Sequence, residues 1–429
     1  MKGLVNKVPF FAVSLFFGLI TLTAQIESGA YGGLVKFSII ERLALAGYGY
    51  FWYLLHFLAP VQQSALYPYP KGIEGIHIMF TLFSAGLMVW AFLKRNQYKW
   101  LYFGLLFMLI NLLLVLQFVT VGGAIVADRY TYIPYIGLGL ALAYAIKHIT
   151  ESRGKALNWL PKLAMVLMLV YAGGTYARVQ VWQTSETLFS NVLENYPKSE
   201  LAWSNRGYYY RITSEKFPPG PDREKLLQKA LSDYNSALEV NPKYHLAYSN
   251  RGKVWFERKQ FDKAIEDYTM AIQINGKVPK DFVNRGSSYA QTGRHQEAMA
   301  DFNAAIKLDP NYPEAYKNRG ILHSVLKDYE SSMRDFETYL KYNPNEMGIR
   351  NYYGVCFFQL GLYEDALNIF SQNITTATAL RDPELGTYYM NRSLAYNGLG
   401  NKAKALEDAN RAKANGYNVP DNYFALLNQ

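Results

Sequence analysis

Hydrophobic and polar positions follow two unlike patterns along the 429 residues. Through residue 180 the apolar side chains come in long runs, near Val8–Ile26, Leu43–Ala59, Ile76–Leu93, Trp100–Val119, Ile133–Ile146 and Leu160–Ala177. Most approach the ~20 residues that cross a ~30 Å hydrocarbon core. They lack the polar stripe of a soluble core helix. The pattern predicts six membrane-spanning helices over 1–180, with Leu43–Ala59 and Ile133–Ile146 the weakest. The first run lacks a small-residue cleavage site and is not read as a removed signal peptide. Gly47-Tyr48-Gly49 and Gly137-Leu138-Gly139 fall inside spans and read as packing glycines.

After residue 180 the period becomes helical and the sequence repeats itself. Gly252, Gly286, Gly320 and Gly354 are spaced 34 residues apart. Around them recur an aromatic, the glycine, an aromatic, an alanine, an aromatic and a proline, as in Phe282, Gly286, Tyr289, Ala298, Phe302 and Pro310. An earlier copy has Trp203, Gly207 and Tyr210, then an 11-residue insertion with Pro218-Pro219-Gly220-Pro221, and resumes at Ala230 and Tyr234. A last, degenerate copy has Ser393, Tyr396 and Ala405. This is the tetratricopeptide pattern, two antiparallel helices per unit. It predicts a lead-in helix over 182–194 and repeats near 200–244, 245–278, 279–312, 313–346, 347–384 and 385–418. No unit buries its own face, so units stack into a solenoid with a concave groove. The fold class is all-α: a polytopic transmembrane bundle over 1–180 followed by a tetratricopeptide α-solenoid over 181–429.

Two further ladders run through the repeats. Two residues before the glycine position stand Asn205, Asn250, Asn284, Asn318 and Asn391. Such a row on a concave face could pair with the main chain of an extended peptide, since each amide both donates and accepts. It could equally tie adjacent repeats together. Directly before the glycine position stand Arg206, Arg251, Arg285, Arg319 and Arg392, matched by Asp233, Asp267, Asp301, Asp335 and Asp408 in the second helices. The repeat at Gly354 has Tyr353 and Ile369 instead, so both partners vanish together. That joint loss favours a structural ion pair over use of the arginines on acidic ligands.

Charge sharpens the division. The first 180 residues hold 14 Lys and Arg against 5 Asp and Glu, while the remainder is nearly balanced. The basic excess thus belongs to the apolar half, and no patch for nucleic acid is expected. Lys36, Arg42, Lys94, Arg95, Lys99, Lys147, Arg153 and Lys155 fall in one set of loops, and Lys2, Lys7, Lys71, Arg129 and Arg178 in the other. The richer set is expected in the cytoplasm. The Tyr67-Pro68-Tyr69-Pro70 loop, Asp128-Arg129 and the repeats then lie outside it, in the periplasm of a bacterium. A single cysteine, Cys356, and six histidines without ligand spacing nominate no metal site. No phosphate-binding loop or nucleophile elbow is present, so no catalytic residue is nominated. Asp128 and Arg129 begin a span, where charge is expensive unless used or paired. Arg129 could hold a lipid-linked phosphate, or the two could form an interfacial ion pair.

The Ala127-Asp128-Arg129-Tyr130-Thr131-Tyr132-Ile133-Pro134 stretch, the Tyr67–Pro70 loop and the Val181–Phe189 lead into the repeats resemble bacterial multispanning tetratricopeptide proteins. Those are similar to the transmembrane-and-tetratricopeptide O-mannosyltransferases of the glycosyltransferase C-superfamily. The resemblance implies a polyprenyl-phosphate sugar donor and transfer to protein on the outer face. That family carries its catalytic carboxylates in an early outside loop, so this chain is expected to match the C-terminal portion. Two functions stand: a membrane-anchored protein that binds a protein or peptide in its groove, with membrane lipid around its spans, or all or part of a lipid-linked-sugar-dependent glycosyltransferase. The sequons at Asn373 and Asn391 add nothing in a bacterium.

Overall fold

The computed structural model describes residues 37–59, 64–70, 72–113, 115–116, 124–127, 130–153 and 159–428, with Phe16 and Ile20. The run Val8–Ile26 lies, those two residues apart, outside the described residues. The chain divides into two compact units, one reaching to Pro242 and one over Lys243–Gln429.

In the first unit, α1 (Ile39–Leu58) starts at Ser38, whose hydroxyl accepts from the Glu41 N–H while the Glu41 carboxylate accepts from the Ser38 N–H. This reciprocal cap satisfies two orphan donors. Helix α2 (Gly75–Leu93) packs on α1, and a Cβ at Gly47 would stand 2.5 Å from Thr81. Thr81 Oγ1 lies 2.6 Å from Ala44 O, and Ser84 Oγ donates to Gly47 O at 2.8 Å. Hydroxyls placed this way hold apolar helices together. Helices α3 (Lys99–Leu112) and α4 (Pro134–Arg153) pair similarly, since a Cβ at Gly104 would meet Gly137 O at 2.8 Å. Gly139 differs from its neighbour: an added Cβ there meets nothing within 4 Å.

The run Trp100–Val119, expected as one span, is broken. Helix α3 ends at Leu112, and the chain turns so that Leu112 and Leu116 join the buried cluster of Leu45, Tyr50 and Tyr53. Its 14 residues reach about 21 Å at 1.5 Å per residue, short of a hydrocarbon core. Among the described residues, α2 and α5 (Leu160–Val181) are long and apolar enough to cross a membrane, by length and composition. Helices α1 and α4 are 20 residues long. Glu41, Arg42 and several aromatics dilute the first, and Lys147, His148 and Glu151 the second.

The loops expected on one face come together as strands. β1 (Tyr67–Pro68) pairs antiparallel with β2 (Ala124–Val126), Tyr67 opposite Val126. Tyr53 fixes the ribbon from α1: its hydroxyl accepts from the Ala127 N–H at 3.0 Å, and Tyr135 donates to Tyr53 O at 2.8 Å. The ring of Tyr196 meets Tyr67 edge-on at 5.8 Å. Tyr196 ends α6 (Ser185–Asn195), the predicted lead-in helix, whose Val192 and Leu193 pack with Ala65 and with Ala202 of α7 (Glu200–Ser214). The insertion runs into α8 (Pro221–Val240), which has 20 residues where the second helix Phe261–Ile274 has 14; Pro221 is its first residue, where a missing N–H costs nothing.

The second unit is built from hairpins: α9 (His245–Glu257) with α10 (Phe261–Ile274), α11 (Pro279–Gln291) with α12 (His295–Leu308), α13 (Pro313–Val325) with α14 (Tyr329–Tyr342), α15 (Met347–Gln359) with α16 (Tyr363–Leu380), and α17 (Leu385–Gly398) with α18 (Lys402–Ala414). Helix α19 (Asp421–Leu427) closes the array, with Tyr423 and Leu427 on Ala405, Ala409 and Ala412. The glycine rule has a direct cause. A Cβ at Gly286 would stand 2.8 Å from the Phe302 ring, and one at Gly354 2.6 Å from Phe370. The degenerate repeat obeys the same rule in reverse. Ala409 replaces the aromatic, and Ser393 fits where glycine was, its hydroxyl donating to Ala405 O at 2.6 Å.

Candidate functional site

The arginine ladder is structural. In α7, Arg206 donates from Nε and Nη2 to both Asp233 oxygens at 2.8 Å. Arg285 reaches Asp301 at 2.9 and 2.8 Å, Arg319 reaches Asp335 at 2.8 and 2.7 Å, and Arg392 reaches Asp408 at 2.7 and 2.9 Å. Arg251 and Asp267 form the same fork at 2.8 and 2.6 Å. Two parallel charge-assisted bonds fix the angle of each hairpin. The remaining nitrogen reaches back one unit: Nη1 donates to Ser190 from Arg206, to Thr269 from Arg285, to Asn303 from Arg319 and to Ser371 from Arg392. So arginine performs the tie between repeats that the sequence also offered to asparagine. The hydrogen bond to Asp301 holds the Arg285 guanidinium above its ordinary range, against the opposing effect of burial. Where the pair is absent, Tyr353 packs edge-on to Phe357 at 4.9 Å and Ile369 lies against Gly354.

The asparagines do not behave alike. Asn284 and Asn318 line one groove of about 540 Å³ formed by α9, α11 and α13. The Asn318 amide is engaged, donating to Glu314 O at 2.7 Å and accepting from Ser287 at 3.3 Å. The Asn284 side chain makes no hydrogen bond among the described residues. Asn391 donates to Asn351 of α15 at 2.8 Å, a link between repeats. Asn250 and Asn205 are half-buried and do not line this groove; Asn205 belongs to the first unit. The row that is regular in sequence therefore resolves into two groove residues, one tie between repeats, and two residues outside the groove.

Sequence reasoning missed the other groove residues. Lys253, Lys280 and Lys317 line it with Val283, Ile321 and Val325. The signal was available: Lys280, Asn284 and Gln291 share one helical face by their spacing. Beneath the groove lies Asp281, 1% exposed, with Ser249 donating to its Oδ1 and its Oδ2 unsatisfied. Burial pushes this carboxyl up, opposed by Ser249, His245 and Lys280. Asn373, the asparagine of one sequon, is fully buried and donates to Met347 O at 3.1 Å. Burial also raises the Cys356 thiol, the wrong direction for a nucleophile.

In the first unit, Asp128 and Arg129 lie outside the described residues. Their neighbour Ala127 sits at the end of the ribbon, so the Tyr67 loop and the segment leading to Arg129 are adjacent. A small cleft of about 240 Å³ opens there between Tyr48, Tyr67, Glu74, His77 and Tyr196. Among the described residues, no group of His, Cys, Asp or Glu could hold a metal ion.

A family model described as tetratricopeptide repeat matches residues 245–277, a second so described matches 317–373, and a TPR repeat model matches 286–324. The second unit therefore carries tetratricopeptide repeats. No curated protein matches the chain. Among solved structures the chain is similar to a tetratricopeptide repeat protein from Parabacteroides merdae, at 21% identity and TM-score 0.35, covering 54% of this chain and 94% of that one. It is similar also to YrrB, a TPR protein with an unusual peptide-binding site, at 16% identity and TM-score 0.36, covering 51% and 96%. A third is PilW, a type IV pilus biogenesis factor, at 21% identity and TM-score 0.41, covering 49% and 93%.

Proposed function

We propose that this chain is a membrane-anchored tetratricopeptide protein that binds a protein or peptide on the extracytoplasmic face of a bacterial inner membrane. The observation that carries the binding role is the groove of the second unit. Its wall offers the Asn284 amide without an internal partner beside the aliphatic side chains of Val283 and Ile321. An extended chain laid there would pair its main chain with the amide and bury alternate side chains, the division of labour that gives such complexes affinity and specificity.

The anchor is supported by two outward faces. Helix α5 buries none of its residues, and Met165–Val170 are all exposed; α2 exposes Ile78, Met79, Leu82 and Phe83. Contiguous apolar surface of this kind suits lipid better than water. Any spans beyond α2 and α5 rest on the remaining hydrophobic runs, and the outside location rests on the loop charges. A fusion reporter after Gln429 tests the location: activity confined to the cytosol would sink it. For the groove, a photo-crosslinking side chain at Ser287, in the full chain held in nanodiscs, should label peptides selected from a random library. Labelling equal to that at an exposed convex position refutes groove binding.

The second reading, sugar transfer from a polyprenyl-phosphate donor, is favoured by the ribbon that brings the Tyr67 loop beside the segment leading to Arg129. Under it, Arg129 contacts the donor phosphate. Label transfer by the purified chain that survives Arg129→Ala removes that residue from the reaction.

A further inference from the structure

We infer that the cleft at the start of α2 seats the headgroup of a zwitterionic phospholipid, its phosphate on His77 and its ammonium among aromatic rings beside Glu74. The inference rests on the membrane-anchored reading above and adds the class of lipid that the anchor recognises. The His77 ring is fixed by its own turn. Its Nδ1 accepts from the Glu74 N–H at 3.0 Å, so the ring carries its proton on Nε2. The residue is only 6% exposed and lines the cleft, and its ring makes no second hydrogen bond among the described residues. A donor in so buried a ring favours a ligand oxygen as its partner. The first N–H groups of α2 have no acceptor within the helix and add a positive end beside it. A Cβ at Gly75 would meet nothing within 4 Å, so a ligand can approach the backbone there.

The other wall suits the opposite charge. Tyr48 and Trp52 stand one turn apart on α1 and both line the cleft. Tyr67 of β1 meets Trp52 edge-on at 4.5 Å, and Tyr196 meets Tyr67 at 5.8 Å. Glu74 adds a carboxylate, and no Lys or Arg lines the cleft among the described residues. Aromatic rings with a carboxylate are the chemistry that recognises an ammonium. A lone phosphate would meet Glu74, and a lone cation would meet the positive end of α2; a zwitterion answers both. The cleft, at about 240 Å³, is smaller than the ~300–1,000 Å³ pockets that take drug-sized ligands, which suits a headgroup. Its depth agrees. Helix α2 has 19 residues and reaches about 28 Å, close to the thickness of a hydrocarbon core. The exposed Ile78, Met79, Leu82 and Phe83 begin directly beyond His77, so acyl chains can follow that face from a headgroup seated in the cleft.

The test uses the full chain. Flotation with vesicles first shows whether membrane holds it at all. Native mass spectrometry of the chain in detergent then compares phosphatidylethanolamine with phosphatidylglycerol of the same acyl chains, which keeps the phosphate and removes the ammonium. The inference expects the ethanolamine lipid to be retained at least about fivefold more, the scale of one exposed cation–π contact. Glu74→Gln should shrink that ratio, and Glu74→Lys should invert it. His77→Phe, which keeps a ring and loses the donor, should weaken retention of both lipids. Glu74 is exposed, so its variants should melt as the parent does. Soluble glycerophosphoethanolamine at equal concentration should not displace the lipid, because it lacks the chains that lie on α2. Flotation with no preference between the two lipids, or a preference untouched by Glu74→Lys, overturns headgroup selection and leaves the anchor standing. Displacement by the soluble compound moves the ligand to a free amine and overturns the lipid. A chain that does not float overturns both.

Discussion

Replacing Arg285 with alanine tests the reading of the repeat ladder most directly. In the native chain its guanidinium makes two bonds to Asp301 and a third, at 3.1 Å, to Thr269 of the preceding hairpin. The Asp301 side chain is only 7% exposed. Truncation therefore strands a buried carboxylate as well as losing three hydrogen bonds, and removing one member of such a pair costs about 3 kcal/mol or more. Repeat arrays do not unfold in one step, so a global melt would blur the effect. Hydrogen exchange read by peptide resolves it: about 3 kcal/mol corresponds to roughly 150-fold more frequent opening, and it should appear in α11, α12 and the end of α10 while α17 and α18 stay unchanged. Asn284→Ala, which removes no hydrogen bond, should leave exchange within a factor of about two, as surface changes do. Joint replacement with Tyr and Ile, copying Tyr353 and Ile369, should recover much of the loss because no charge is left buried. Equal exchange in the Arg285 and Asn284 variants, or a double variant worse than the single one, would refute the argument.

Three further outcomes follow from the geometry. Gly286→Ala should destabilise the unit by about 1–3 kcal/mol through overpacking against Phe302, and adding Phe302→Ala, the arrangement of Ser393 and Ala409, should relieve the clash in a thermal melt. Lys259 and Lys327 hold φ of +58° and +62° at the turn position where Gly293, Gly361 and Gly400 stand at +76°. Lys259→Gly and Lys327→Gly should each stabilise by up to about 1 kcal/mol in denaturant titration, the side chain's left-handed strain outweighing the entropy of glycine. Asp281 has its folded pKa raised by burial, so its effect on stability is most favourable below the unfolded value near 3.8 and is lost as pH rises toward the folded value. Asp281→Asn should accordingly raise the melting temperature at pH 7.5, by an amount that vanishes toward pH 4. A pH-independent gain would assign the effect to something other than ionisation, since Ser249 and His245 of α9 face the same carboxyl.

The repeats were legible because each position carries a steric or electrostatic demand that acts within about 30 residues. Glycine against Phe302, and the fork from Arg285 to Asp301, recur at fixed spacing, and even their joint failure at Tyr353 and Ile369 could be read. The asparagines were less legible. Identical spacing gives Asn284 an unpartnered amide and Asn391 a bond to Asn351, and that difference is set by what the next repeat places opposite. The apolar half was legible in composition but not in element ends. Nothing in the run Trp100–Val119 marks Leu112 as the last helical residue, because the turn is stabilised by a distant cluster with Tyr50 and Tyr53. The pairing of Tyr67 with Val126 was hidden for the same reason: it is a long-range contact between two short segments.

The position of Tyr196 has a practical consequence for anyone dissecting the molecule. The lead-in helix is seated on the ribbon through Tyr67 and Ala65, and the first compact unit runs on to Pro242. A protease cut or gene truncation at residue 181, where the oily character stops, would tear a hydrophobic seam and leave Val192 and Leu193 without part of their cover. Excision at Lys243 would respect the grain of the fold, since the piece so released keeps its five hairpins and the closing helix α19 together.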